Sequence, residues 1–368
     1  MLEIQRILSA LHGIDPRRSA LATVVQLEGS GFRRPGARML VHADGAIVGG
    51  VSAGCLESDV AEHAKQAIAT ATARLVAYHT DDDPVFGLGL GCDGHVKILI
   101  EPLSLPSASQ HLAFLSQLLH HRGGGAIATA WREDESPLVG RWLFQAGGGE
   151  PADGVDGAPE EARHEASAVR ATIKRTGRTA HRCRRLPCGT WLSVEGLVPP
   201  VSLVICGVGA DALALAEQAR LLGWHVTALD HRQARLTPER MPSADRVLSL
   251  APQDLAARVA LDERTAVVVM SHSMTADCAW LEALLAAPIA YLGVMGPRKR
   301  TARLLDGLPA ASLPLDTLYA PVGLDLGAES PEEVALAICA EIRAVLAGRP
   351  GGFLRERSGS IHDRSLVP

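Results

Sequence analysis

Aromatic side chains are scarce in this sequence: five Trp, three Tyr and five Phe make up 4% of its 368 residues, so any core has to be mostly aliphatic. Cysteine is sparse too. Seven residues, an odd number with no C-x-x-C spacing, exclude a disulfide framework and argue against a structural zinc site. Basic charge is not in excess, since 36 Lys and Arg stand against 41 Asp and Glu for a net charge of −5. Such a balance offers no general footprint for nucleic acid or for an anionic membrane. Long apolar runs are missing as well; none reaches the roughly 18 residues that a bilayer span requires. The opening MLEIQRILSALHG carries Glu3 and Arg6 among its apolar residues and does not read as a signal peptide. These absences together point to a reduced, cytoplasmic setting.

What is present suggests two domains, because the length exceeds what one core usually serves. Residues 1–198 read as a mixed α+β domain. A helix with Ile4, Leu8 and Leu11 on one face opens it, and a strand runs over Ala20–Leu27. Asp44-Gly45 then sits between two strands as a hairpin turn, and a helix starts near Cys55. Strands follow at Leu75–Tyr78, Val96–Ile100 and Trp191–Glu195. The stretch from about 146 to 182 is rich in glycine and charge, with a polar helix ending at Gly177, and is expected to form a weakly ordered excursion.

After Pro199-Pro200 the pattern changes. Residues 199–348 alternate strands (201–206, 225–230, 246–250, 266–270, 289–294) with helices (210–222, 252–260, 276–286, 297–308, 331–347). This predicts a Rossmann-like, doubly wound parallel sheet. Ser330-Pro331-Glu332-Glu333 is a capping box for the last helix. Residues 349–368 show no periodicity and read as a disordered tail.

Several constellations could carry chemistry. In VSLVICGVGADALALA, a buried strand meets Gly207 and Gly209 before a helix, and Asp230 ends the next strand. Small residues there admit a diphosphate to the backbone, and the acid is placed to accept ribose hydroxyls. Two more loops open at strand ends: Ser271-His272-Ser273, and Gly296-Pro297-Arg298-Lys299-Arg300. The second forms either an anion site or a solvated basic helix start. His272 is either an acid–base group or a hydrogen-bonded structural imidazole. In the first domain, GSGFRRPGA joins Arg33, Arg34 and Arg38 with glycines, which suits an oxyanion or merely an exposed hairpin entry. Cys55 lies at a predicted helix start, and Cys92 lies in GLGLGCDG. Thiolates are soft donors, although a lone cysteine is usually a small hydrophobe. Cys188, Cys206, Cys278 and Cys339 read as packing residues.

With these segments in hand, the chain resembles the xanthine dehydrogenase accessory factor family, of the XdhC/CoxI type. The match rests on GSGFRRPGARMLVHADGAIVGGVSAGCLESDV (29–60) and GLGLGCDGHVKILIEP (87–102). It continues through VICGVGADALALAEQARLLGWHVTALDHR (204–232), YLGVMGPRKRTARLL (291–305) and PVGLDLGAESPEEVALAICAEI (321–342). The resemblance implies a maturation chaperone, not a turnover enzyme. It would bind molybdenum cofactor (molybdopterin), hold it while a cysteine desulfurase exchanges an oxo ligand for sulfide, and pass it to an apo molybdenum hydroxylase such as xanthine dehydrogenase. A homodimer is implied as well.

Arg33, Arg34, Ser52, Cys55, Cys92, Gly207, Gly209, Asp230, His272, Arg298, Lys299 and Arg300 are the candidate cofactor-binding residues, with Cys92 and Cys55 as possible molybdenum contacts. The chain departs from the family pattern at Phe32, Ala53, Asp93 and Ala210; at the last, a histidine often follows the Rossmann glycines. A second reading stays open: an NAD(P)-dependent oxidoreductase using Asp230 for ribose and His272 for proton transfer.

Overall fold

The computed structural model describes residues 1–29, 33–79, 94–120, 122–134, 137–145, 157–232, 237–308 and 316–358. The chain divides at Pro199-Pro200 into two compact units. No helix among the described residues is long and apolar enough to cross a membrane.

The first unit is built on two antiparallel sheets. Its elements are α1 (Leu2–Ala10), β1 (Ser19–Gly29), β2 (Arg38–His42), β3 (Ile47–Gly49), α2 (Glu57–Thr70), β4 (Arg74–His79) and β5 (Gly94–Pro102). They continue with α3 (Pro106–His120), β6 (Gly125–Trp131), β7 (Leu138–Gln145), α4 (Glu160–Thr176), β8 (Ala180–Arg185) and β9 (Trp191–Leu197). One sheet has the order β3-β2-β1-β5-β4 and the other β7-β6-β9-β8. The expected hairpin forms: Gly45 takes the positive φ of the turn, and Asp44 Oδ1 accepts from the Ala46 amide at 2.9 Å.

β1 is buried on both faces. Ala20, Ala22 and Val24 pack with Val60, Ala61, Ala64 and Ala67 of α2, while Leu21 on the opposite face joins Ile7, Leu40, Leu103 and Ala108. α2 therefore covers one side of the first sheet, and α1 and α3 contribute to the other.

The stretch 146–182, expected to be weakly ordered, carries packed structure in its described part. Ala162, Ala166 and Val169 of α4 are buried against Ala126, Ala128, Leu192 and Val194 of the second sheet. A Cβ on Gly196 of β9 would lie 2.4 Å from Val169 Cγ1, so this glycine lets the helix seat directly on the strand. The helix looked solvated because its outward face is so polar; a narrow alanine stripe was enough to dock it.

The second unit contains β10 (Ser202–Cys206), α5 (Ala210–Leu221), β11 (His225–Asp230), β12 (Arg246–Ser249), α6 (Leu255–Arg258) and β13 (Thr265–Val269). Then come α7 (Met274–Leu284), β14 (Tyr291–Val294), α8 (Arg298–Asp306), β15 (Leu318–Tyr319) and α9 (Pro331–Leu346). The six strands are parallel, in the order β12-β11-β10-β13-β14-β15, which is the Rossmann arrangement the alternation predicted. Apolar side chains on the two faces of β10 and β13 feed two separate cores, one under α5 and α9 and the other under α7. The predicted helix at 252–260 is shorter than expected, a turn at Pro252–Asp254 followed by a single helical turn anchored by buried Leu255. The capping box on α9 is formed: Ser330 Oγ accepts from the Glu333 amide at 3.3 Å, and Glu333 Oε2 from the Ser330 amide at 3.1 Å. Of the expected tail, 349–358 is described, with one short turn at Leu354–Glu356.

Candidate functional site

In the first unit, the segment between β3 and α2 is shaped by one buried carboxylate. Glu57 is the first residue of α2; its Oε1 accepts from the Val51 and Ser52 amides at 3.1 and 2.8 Å, and its Oε2 accepts the Ser52 hydroxyl. Burial alone would raise the Glu57 pKa, but these hydrogen bonds outweigh it and hold the carboxyl below its usual range. Ser52 Oγ in turn accepts from the Gly54 and Leu56 amides at 3.2 and 3.1 Å and from the Cys55 thiol at 3.4 Å. Gly54 adopts a positive φ of 110°, and open space surrounds its Cα. The tip of the loop, Ala53-Gly54, is exposed, with half-buried Cys55 beside it.

Arg33 reaches the same loop. Its Nε and Nη2 donate to the Gly50 carbonyl at 3.1 and 3.0 Å, and Glu3 of α1 forms an ion pair with it. Glu3 also accepts from the Arg38 amide at 2.8 Å, so one acid near the chain start positions both the hairpin and the arginine. Arg33 thus holds the start of the segment that carries Ser52 and Cys55, and Arg34 is exposed next to it in sequence. Cys92 lies outside the described residues.

Arg38, grouped with those arginines on sequence, is not on the surface. It is 1% exposed and lies in an end-on pair with Glu195, Nη1 to Oε1 at 3.0 Å and Nη2 to Oε2 at 2.6 Å. His111 and the Arg141–Glu101 pair stand nearby in the same unit. Burial first, then the Arg141 and Arg38 charges, push the His111 pKa well below its ordinary value. Arg38 has only donors to offer, so His111 Nε2 is the accepting nitrogen and the ring is neutral.

In the second unit the candidate residues gather at the carboxyl ends of β10, β11, β13 and β14, where such sheets place ligands. Gly207 has a φ of +119°, and a Cβ there would stand 2.6 Å from Ser271 Cα, so only glycine lets the turn cross the end of β13. Gly209 begins α5 without a side-chain cap. His272 sits above it in a left-handed conformation, φ +61°, with Nε2 3.4 Å from Asp211 Oδ2.

The reason His272 is held there is buried beneath it. Asp277, wholly inaccessible, accepts from the Ser271 amide and hydroxyl at 3.1 and 2.5 Å, and its other oxygen accepts from Arg300 Nη2 at 2.7 Å. Arg300 also donates to the Met295 carbonyl at 3.2 Å. It therefore acts as a brace, unlike exposed Arg298 and Lys299 at the start of α8. A buried carboxylate needs a counter-charge, which is why this cation turned inward. Asp230 is committed in the same way. It is fully buried and clamped by Arg232, with Nε on Oδ1 at 2.9 Å and Nη2 on Oδ2 at 2.8 Å. As it stands, it has little left to offer a ribose, so the residues do not fit an ordinary NAD.

Residue-type reasoning gave no site role to Glu3, Glu57 or Asp277, and with His231 and Arg232 beside Asp230 it left the 2′-phosphate question open. For Asp277 the available signal was an acid set among apolar residues in the first turn of α7. Among the described residues, no group of three or more His, Cys, Asp or Glu is disposed to hold a metal ion.

A Rossmann unit preceded by a two-sheet α+β unit, each with a glycine-rich loop beside cations, defines the class. Comparison with known proteins then gives the family: the chain belongs to the XdhC and CoxI family. The XdhC Rossmann domain profile matches residues 203–342, and the XdhC and CoxI family profile matches 15–79. The chain is 30% identical to a probable xanthine dehydrogenase subunit of Bacillus subtilis, over 89% of this chain and 93% of that one. It is 26% identical to the molybdenum cofactor insertion chaperone PaoD of Escherichia coli, over 89% of this chain and 83% of that protein. A crystal structure described as a xanthine dehydrogenase from Bacillus halodurans superposes with a TM-score of 0.70 at 26% identity, covering 94% of this chain and 96% of that one.

Proposed function

We propose that this protein is an assembly factor for a molybdenum hydroxylase of the xanthine dehydrogenase type. It takes up molybdenum cofactor in the cytoplasm, holds it as a homodimer while a cysteine desulfurase replaces an oxo ligand by sulfide, and hands it to the apo-enzyme. The carrying observation is that one exposed loop is held at Gly50 by Arg33 and carries Cys55 hydrogen-bonded to Ser52. A guanidinium suits the terminal phosphate of the pterin, and the thiol is a soft donor suited to molybdenum. In the second unit, the turn at Gly207–Gly209, His272, Arg298 and Lys299 offer further donors to an anionic ligand. Likeness to PaoD over most of the chain supports the same reading. The oxidoreductase alternative loses ground because its ribose acceptor, Asp230, is already engaged.

The experiment is to purify the chain from a host that makes the cofactor, oxidise the sample, and measure pterin fluorescence per protein. Wild type is expected to carry pterin, and Arg33→Ala and Cys55→Ala to carry several-fold less. Wild type free of pterin from several such hosts would overturn the proposal, and full loading of Cys55→Ala would remove that thiol from it.

A further inference from the structure

In dinucleotide-binding folds, the acid that ends the second strand accepts the two ribose hydroxyls. The corresponding acid here is Asp230, and it is not available. Its Oδ1 accepts from both the Arg232 amide and Arg232 Nε at 2.9 Å, and its Oδ2 accepts from Arg232 Nη2 at 2.8 Å. A carboxylate has about four lone-pair positions, and one residue fills three of them. The carboxylate is fully buried and the guanidinium is 32% exposed, so the cation lies between the acid and solvent. Stripping a hydrogen-bonded partner from a buried charge is strongly unfavourable, and a neutral diol has no charge with which to displace a guanidinium.

We infer that Arg232 is a specificity-determining residue. It closes the ribose-diol seat of the second unit and converts it into a seat for a phosphomonoester. Side-on pairing uses Nε and Nη2, which leaves Nη1 with no partner among the described residues. A planar guanidinium can hold one oxyanion on one edge and a second on another. His231, with Nδ1 3.5 Å from Asp230 Oδ1 and its side chain 36% exposed, stands beside it as a second donor. A bare Asp230 would repel a phosphate, whereas the Asp230–Arg232 pair carries no net charge. Ligands with an unmodified ribose, NAD and ADP among them, are rejected, and those bringing a phosphate to this strand end are accepted. The inference rests on the glycine turn at Gly207–Gly209 facing the ligand, and it goes beyond the proposed function by naming the chemical group that is selected.

Calorimetric titration of the full chain with adenosine 2′,5′-bisphosphate, ADP and NAD tests it. The bisphosphate is expected to bind wild type at least about tenfold tighter than ADP or NAD, a difference of ~1.4 kcal/mol. Arg232→Ala is expected to reverse the order, because Asp230 is released to a ribose. That variant strands a buried carboxylate, so Arg232→Lys serves beside it: the charge remains but the fork is lost, and the preference should shrink without changing sign. Equal or tighter binding of NAD or ADP to wild type overturns the inference. So does an unchanged preference in an Arg232→Ala protein that melts like wild type, or no binding of any probe at millimolar concentration. Pterin recovery is a separate measurement, so failure here leaves the proposed function standing, and the converse holds as well.

Discussion

Removing Asp277 tests whether the second unit's candidate site is built from below. The carboxylate is wholly buried, and three donors converge on it: the Ser271 amide, the Ser271 hydroxyl and Arg300 Nη2. Asp277→Ala leaves those two Ser271 groups without an acceptor in a nearly inaccessible place and leaves Arg300, 21% exposed, without its counter-ion. Breaking a buried pair by deleting one partner costs about 3–5 kcal/mol. In a unit of this size, each kcal/mol moves the melting temperature by about 2–4 °C, so a fall of about 6–20 °C is expected. Asp277→Asn keeps an acceptor for Ser271 but turns an amide toward the guanidinium, and it should fall between wild type and Ala. Calorimetric melting of the three proteins is the assay, with exposed Asp254→Ala as a control expected within about 0.5 kcal/mol of wild type. An Asp277→Ala protein melting within about 2 °C of wild type would refute the brace.

Two further predictions follow from other sites. His111 and His181 are neutral in the folded chain; burial depresses both, Arg141 and Arg38 add to the effect at His111, and His181 falls to about 4. The unfolded chain takes up these protons near pH 6.5, so stability is complete above that pH and declines as the pH drops, by up to ~1.4 kcal/mol per pH unit for each ring. For His181 the decline stops near pH 4; denaturant midpoints between neutral pH and about pH 5 should show it, with a shallower slope in His181→Gln, and equal slopes would contradict the assignment. At His272, φ of +61° costs a non-glycine residue about 1–2 kcal/mol, so His272→Gly should raise the melting temperature even as it weakens anion binding; a lower melting temperature would show that the imidazole stabilises the fold more than its conformation costs.

The second unit was readable in the sequence because a parallel sheet covered on both faces demands strands apolar on both sides, and Leu203–Cys206 and Ala266–Val269 are such runs. β15 escaped because a two-residue strand has no period, and the helix expected at 252–260 came out as one helical turn because a single buried leucine anchors it. The first unit was harder. β6, read as GAIATAW, is buried along its whole length with small residues on both sides, so no alternation marks it. Arg38 was misplaced for a different reason. Its pairing with Thr23 across β1 and β2 buries it, and its counter-ion Glu195 arrives from β9, 157 residues on. Residue types announced a charge at that position, but nothing local announced which way it would face.

That difficulty has a common physical root. Asp230, Asp277, Glu57 and Arg38 were each either read as groups facing a ligand or left without a role, and each is buried in a hydrogen-bonded pair or cluster. A buried charge has to be satisfied by the protein before it can serve a ligand. The groups left to meet a ligand are therefore those that the buried set holds in place. Glu57 shapes the loop that carries Cys55, Asp277 aims His272, and Asp230 anchors Arg232. In each case the acid is inside and the group it supports lies closer to solvent. For the proposed role of receiving and handing on an anionic cofactor, this order has a use, because exposed donors pre-set by internal contacts need no rearrangement on binding or release.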